Sequence, residues 1–260
     1  MSFTYGGIST ETLAGVTATL KEWPSLGGLT VENTDKPGSN GRYFGTSALR
    51  ASRFVFTVLI EGKSFEEVGA RRDAFVGVID PARGPRPLVV EGEAGWVWDD
   101  VLAAEEINWS RGAWIRGTVF RLVGELVLET QEDPAARQTS PLEVEVKSSL
   151  SFTLSSGNTI AYPRLVFPAG SQAGGAPWVV TIGKYRLEIE AGTPAGRLAD
   201  LDWERMIFAE TDAAGNRKAS LVSRMSRYDR PALVPGQPVT VSVTPAPSSA
   251  ARFYPNARRA

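Results

Sequence analysis

Along most of this chain apolar and polar residues alternate in short runs, and one stretch follows the helical period instead. Ser64 to Ile79 reads Ser-Phe-Glu-Glu-Val-Gly-Ala-Arg-Arg-Asp-Ala-Phe-Val-Gly-Val-Ile. Phe65, Val68, Phe75, Val76 and Ile79 recur three, four and seven apart, which places them on one face of an α-helix. Ser64 and Glu67 form a Ser-x-x-Glu capping box: the hydroxyl takes an orphan amide of the first turn, and the carboxylate reaches back to the cap's own N–H. Glu66, Glu67 and Asp73 lie towards the positive end of the helix dipole. Asp80-Pro81 ends the helix, because proline disfavours helical geometry at the residue before it. With strand-like sequence on both sides, a lone amphipathic helix must lay its apolar face on a sheet.

The alternating runs give the strands. Before the helix they are Leu13–Leu20, Leu29–Asn33 and Arg53–Glu61. The last becomes continuously apolar and is expected at the centre of a sheet, with the helix on one face and a second layer on the other. Trp23-Pro24 and Gly27-Gly28 mark a turn, and Asp35 to Gly41 a loop. After the helix come Leu88–Glu91, a turn at Gly92–Gly95, Trp96–Leu102, Ile107–Ser110 and Ala113–Glu129, the last long enough that a break or bend is expected at Gly117 or Gly124. Thr130 to Pro141 is polar and twice interrupted by proline, so it reads as a linker. It divides the chain into domains at 1–133 and 142–260, joined by 134–141. The second part reads as eight strands: Glu143–Val146, Leu150–Leu154, Pro163–Phe167, Trp178–Ile182, Tyr185–Ala191, Arg205–Glu210, Ala219–Ser223 and Val239–Thr244. Turn signals at Gly157-Asn158, Gly174-Gly175, Gly192, Asp212–Asn216 and Pro235-Gly236 separate them, as in a β-sandwich. The fold class expected is therefore mainly β: two sandwich or split-barrel domains, the first flanked by one α-helix.

Composition narrows the chemistry. The 260 residues include no cysteine and no histidine. Disulfides, thiolate metal sites and thiol nucleophiles are excluded, and with them the Ser-His-Asp triad and the commonest metal ligand. Catalysis would have to rest on carboxylates, lysine, tyrosine or a hard metal ion. No apolar run approaches the roughly 20 residues that cross a bilayer as a helix, so no membrane insertion is expected. The start has neither a basic nor an apolar leader region, so no signal peptide is expected. Charge is uneven: residues 1–134 carry 13 Lys and Arg against 19 Asp and Glu, and residues 135–260 carry 15 against 10. Opposite halves suggest surfaces with different partners, and neither is basic enough for a dedicated nucleic-acid binder.

The remaining candidates each have an ordinary explanation. Asp99-Asp100 and Glu105-Glu106 would need defined separations to act as a glycosidase pair or a Ca²⁺ site, and strand neighbours point to opposite faces. Asp212–Asn216 lacks the full pattern of a Ca²⁺ loop and fits a hairpin turn. Asn108-Trp109-Ser110 matches the N-glycosylation triplet, a pattern common by chance. Nucleotide and hydrolase glycine motifs are absent. Among the seven tryptophans, Trp96 and Trp98 sit two apart on one strand face and are the expected contact surface; Trp23, Trp109, Trp114, Trp178 and Trp203 are expected in the core for the most part. Arg252 to Arg259 is basic and aromatic and reads as a loosely tethered tail.

The order of these features resembles the distal tail protein (Dit) family of long-tailed bacteriophages. The likeness runs through Tyr5 to Ile8, the loop Pro37-Gly38-Ser39-Asn40-Gly41, the apolar strand Phe54–Ile60, and Gly62-Lys63-Ser64-Phe65 leading into the helix. It continues with Leu88-Val89-Val90, Gly157-Asn158-Thr159 ahead of Pro163, and Leu233-Val234-Pro235-Gly236. The resemblance implies a tail-tube-like first domain, six copies of which form a ring whose lumen passes DNA, and a galectin-like second domain projecting outward. It implies the tail tube, the tail-associated hub or baseplate protein and the tape measure protein as partners. The place implied is the tail tip of the virion, after assembly in the host cytoplasm. It assigns no catalytic, cofactor or metal residue. Two other readings stand beside it: a carbohydrate-binding module contacting host-surface glycan through the second domain, and a carboxylate-based glycosidase.

Overall fold

The computed structural model describes residues 2–24, 29–35, 42–112, 119–170 and 176–260. They divide into two compact units, Met1–Thr139 with Ala260, and Ser140–Arg259. The architecture is mainly β with a single α-helix, and no closed barrel is present among the described residues.

In the first unit the helix spans Phe65–Ile79, capped by Ser64, whose hydroxyl accepts from Glu67 N at 3.1 Å. The reciprocal half of the box lands one residue earlier than expected: Glu67 Oε2 accepts from Lys63 N at 2.6 Å. The other oxygen of Glu67 meets Arg71 Nη2 at 2.5 Å, one turn on. The buried face is Val68, Phe75, Val78 and Ile79. Val78 takes the place expected for Val76, which is exposed, and Phe65 is 61% exposed although its ring rests on Phe120 at 4.3 Å. Valines at both positions leave the helical period unable to choose between them.

The sheet beneath is antiparallel throughout. Its order is Ile8–Ser9, Phe3–Tyr5, Arg86–Val90, Trp96–Ala103, Phe120–Thr130, Arg53–Gly62, Val16–Glu22. Phe54, Phe56, Val58 and Ile60 all face the helix side and are fully buried. Strand alternation puts them there, and each such side chain contributes roughly 1.5–3 kcal/mol on burial. Among the described residues the opposite face is only partly covered: Val55 and Val127 are buried, but Thr57, Leu59 and Glu61 are half-buried. Leu29–Asp35 and Arg42–Leu49 pair with each other and with no other strand among the described residues. The second of these strands was not foreseen. The turn at Gly27-Gly28, most of the Asp35–Gly41 loop, Trp114, Gly117 and Gly174-Gly175 lie outside the described residues.

The expected break at Gly124 is absent. Phe120–Thr130 runs unbroken, with Gly124 opposite Val58. Gly124 instead provides space: a Cβ there would sit 2.6 Å from Ile107 Cγ2 and 2.8 Å from Trp109 Cε3. Trp109 lies over the sheet at that point and meets Phe75 of the helix edge-on at 6.2 Å. Within the polar 134–141 stretch, Ala136–Gln138 pairs with the Trp96–Ala103 strand.

The second unit is a pair of facing sheets. One runs Val144–Val146, Ala251–Tyr254, Arg164–Pro168, Leu198–Asp202, Ile207–Thr211, Arg217–Ser220; the other Ser149–Thr153, Pro238–Thr244, Trp178–Ile182, Tyr185–Ile189, Met225–Arg227. Phe167 meets Trp178 at 5.1 Å, and Phe253 meets Phe152 at 5.5 Å, so aromatic pairs bridge the two layers. The Arg252–Arg259 segment is no loose tail. Ala251–Tyr254 lies inside the first sheet with Phe253 fully buried, and Asn158 N donates to Arg258 O at 3.0 Å. A Cβ on Gly157 would approach that same Arg258 oxygen to 2.3 Å, which explains a glycine at φ +83° here.

Candidate assembly surfaces

The sequence assigns no site residues, and two of its four acidic candidates, Asp99 and Glu105, are held by arginines. Asp99 is held by Arg137 through two hydrogen bonds, at 2.5 and 2.8 Å. Glu105 meets Arg53 at 2.6 Å. Among the described residues no group of three or more potential ligands is placed to hold a metal ion. Asp212 closes the hairpin between Ile207–Thr211 and Arg217–Ser220, accepting from Ala214 N, Asn216 N and the Asn216 side chain. Lys218 at 2.9 Å and those donors hold its carboxyl well below the usual carboxylate range. Trp98 is 3% exposed and packs edge-on against Phe54 at 4.8 Å, and Trp96 rests against the same core. The expected Trp96–Trp98 contact surface is therefore interior. The pair shares a face as strand geometry requires, but that face is the inner one.

Four surfaces remain that sequence reasoning did not single out. The first is the open face of the first unit's sheet, where cations meet carboxylates: Lys21 with Glu125 at 2.6 Å, Arg121 with Glu61 at 2.6 Å, and Arg53 with Glu105 and Glu129. The neighbouring carboxylate holds the Lys21 ammonium above its ordinary pKa. Beside it lies the second feature, the free edge of Val16–Glu22, which pairs on one side only among the described residues. Exposed edges of this length invite another strand.

The third is a groove of about 570 Å³ beside the C-terminal end of the helix. Val76, Ile79, Pro81, Ile107 and Trp109 make it apolar, and Asp80 and Glu106 make its rim acidic, the third carboxylate, Glu105, being paired with Arg53. Asp80 also caps the following turn, accepting from Ala82 N at 3.0 Å. The fourth lies on the second unit, where Met206, Ile207, Val222 and Tyr228 are all exposed. The Tyr228 hydroxyl donates to Met206 Sδ at 3.0 Å, and Leu221 N bonds Phe208 O, which brings Val222 alongside Ile207. A fifth space, of about 370 Å³, borders Trp178 and Arg197. Trp178 is 2% exposed, so it offers no ring face for stacking on a sugar.

No family model matches the sequence, and no curated protein does. Among solved structures, the chain superposes on the crystal structure of the SPP1 Dit (gp 19.1) protein with a TM-score of 0.70. The two are 11% identical, over 97% of each chain. That protein is described as a paradigm of the hub adsorption apparatus in phages infecting Gram-positive hosts. Two chains of the phage P2 baseplate in its activated conformation, with Ca and with Sr, align at TM-scores of 0.44 and 0.42 and 11% identity, covering 100% and 97% of this chain and 98% and 96% of theirs. At 11% identity what is shared with SPP1 Dit is the fold, and it is shared over nearly the whole length of both chains.

Proposed function

We propose that this chain is a structural subunit of a long-tailed phage's tail tip, a distal tail protein whose copies form a ring, six to the turn. The observation that carries the reading is the fold shared with SPP1 Dit across both units. A common sandwich alone would cover one unit, whereas here two unlike units recur in the same order. Surface chemistry supports it. Among the described residues Val16–Glu22 leaves an open sheet edge of seven residues, and cyclic symmetry covers such edges with the next copy. On the adjoining sheet face Lys21, Arg53 and Arg121 are each neutralised by a carboxylate. A channel lined this way lets a polyphosphate slide, where free cations would hold it.

On this reading the tail tube protein lies above the ring, the hub or baseplate protein below it, and the tape measure protein meets it during assembly. The chain performs no reaction of its own and works in the virion. The test is to label an epitope-tagged copy in intact particles by electron microscopy. Label at the tail tip, between tube and baseplate, is expected; label along the tube or on the head overturns the reading.

A further inference from the structure

We propose that the apolar patch around Met206 on the second unit docks into the acidic-rimmed groove beside the helix in a neighbouring copy of this chain. The inference rests on the ring reading and adds a contact that joins one copy to the next.

Three observations carry it. The patch is presented from an uncommon backbone conformation: Met206 is 46% exposed and holds φ +55°, in the left-handed region that few residues other than glycine adopt. Methionine adapts well to an irregular apolar slot. The groove offers such a slot, about 570 Å³ with Val76, Ile107 and Trp109 in its lining.

The rims are opposite in charge. Arg205 precedes Met206 and is exposed. Across from it the groove carries Asp80 and Glu106. The units as wholes follow suit. Residues 1–139 hold 14 Lys and Arg against 19 Asp and Glu, and residues 140–259 hold 14 against 10. Complementary rims steer encounter and fix register more than they add affinity. Because patch and groove are different surfaces, each copy carries one of each. The contact is heterologous, and on the ring reading it repeats from one copy to the next. A stable interface covers about 800 Å² on each side, so this docking is one part of the contact between copies.

The absence of cysteine makes the test direct. Full-length Val76→Cys carrying one tag is mixed with full-length Met206→Cys carrying another, and the mixture is oxidised. A disulfide-linked pair bearing both tags is expected. Ile160→Cys, exposed elsewhere on the second unit, is the control and is expected to give none. Val222→Cys repeats the test in case the Met206 turn does not tolerate replacement. Adding Arg205→Glu to the Met206→Cys chain should reduce the yield, and Glu106→Arg on the partner should restore it. Light scattering on the same samples separates the two claims. An assembled protein with no pairing above the Ile160→Cys control, or a Met206–Met206 link instead, overturns the docking and leaves the ring. A monomer at every concentration overturns the ring and the docking together.

Discussion

Replacing Gly124 with alanine separates two accounts of this residue. As a strand breaker, or merely a weak strand former, glycine would be improved by alanine, which lowers the entropy of the unfolded chain by about 0.4–1 kcal/mol. The structure gives the opposite sign. The new methyl would stand 2.6 Å from Ile107 Cγ2, 2.8 Å from Trp109 Cε3 and 2.9 Å from Trp109 Cζ3. Contacts that short must be relieved by moving the indole, which is braced against Phe75 and hence against the helix. Overpacking of this kind costs about 1–3 kcal/mol. Set against the entropic gain, the midpoints of the two ranges leave a net loss of about 1.3 kcal/mol. Urea unfolding of full-length protein, followed by circular dichroism and tryptophan fluorescence, would read it as a lower midpoint at unchanged slope. Ile107→Ala deletes the nearest methyl, so the double variant should lose less than the sum of the singles, with coupling of about 0.5–2 kcal/mol. A Gly124→Ala midpoint equal to or above that of the parent would refute the packing argument.

Other outcomes follow from single contacts. Ser64→Ala removes the cap on Glu67 N and should lower the unfolding free energy by about 1 kcal/mol, measured by the same urea titration. Gly157→Ala places a methyl against the Arg258 carbonyl at positive φ; a loss of about 2–4 kcal/mol is expected, with faster amide exchange at Ala251–Tyr254. If those amides stay protected, the C-terminal strand does not depend on that contact. Asp212 has a depressed carboxyl pKa in the folded protein, so its stabilisation is complete above the unfolded value near 3.9 and is lost as pH falls through the folded value. A carbon-detected NMR titration should place its midpoint below the carboxylate range in the parent and nearer that range in Lys218→Ala; an ordinary midpoint in the parent would sink the assignment.

The readable parts of this fold are those set by local pattern. The helix, its Ser64 cap and the Arg53–Gly62 strand follow from residues within one or two turns of each other. So do Trp178–Ile182 and its hairpin partner Tyr185–Ile189, which alternate cleanly. Leu198–Asp202 escaped because Leu-Ala-Asp-Leu-Asp looks polar. Its buried Asp200 is tolerable only because Arg164, from a neighbouring strand, grips it through two bonds at 2.7 and 2.6 Å. Ala251–Tyr254 escaped for a related reason: Arg252 and Tyr254 mask a short strand whose inward residues, Ala251 and Phe253, are only two. Arg42–Leu49 and Met225–Arg227 are likewise rich in small or charged residues, so no period emerges. The candidate surfaces were not legible at all. Val76 and Ile107 line one groove from 31 positions apart, and Met206 meets Tyr228 across 22. Nothing in the spacing of either pair announces that the chain will bring them together.

The ring is the claim on which the rest depends, and the mass of the full-length protein in solution tests it most directly. Light scattering coupled to size exclusion, run at rising protein concentration, should give a species of about 168 kDa, six copies of the 28.0 kDa chain, closed by cyclic symmetry. A single 28.0 kDa species at every concentration, or an open-ended series with no preferred size, would contradict it.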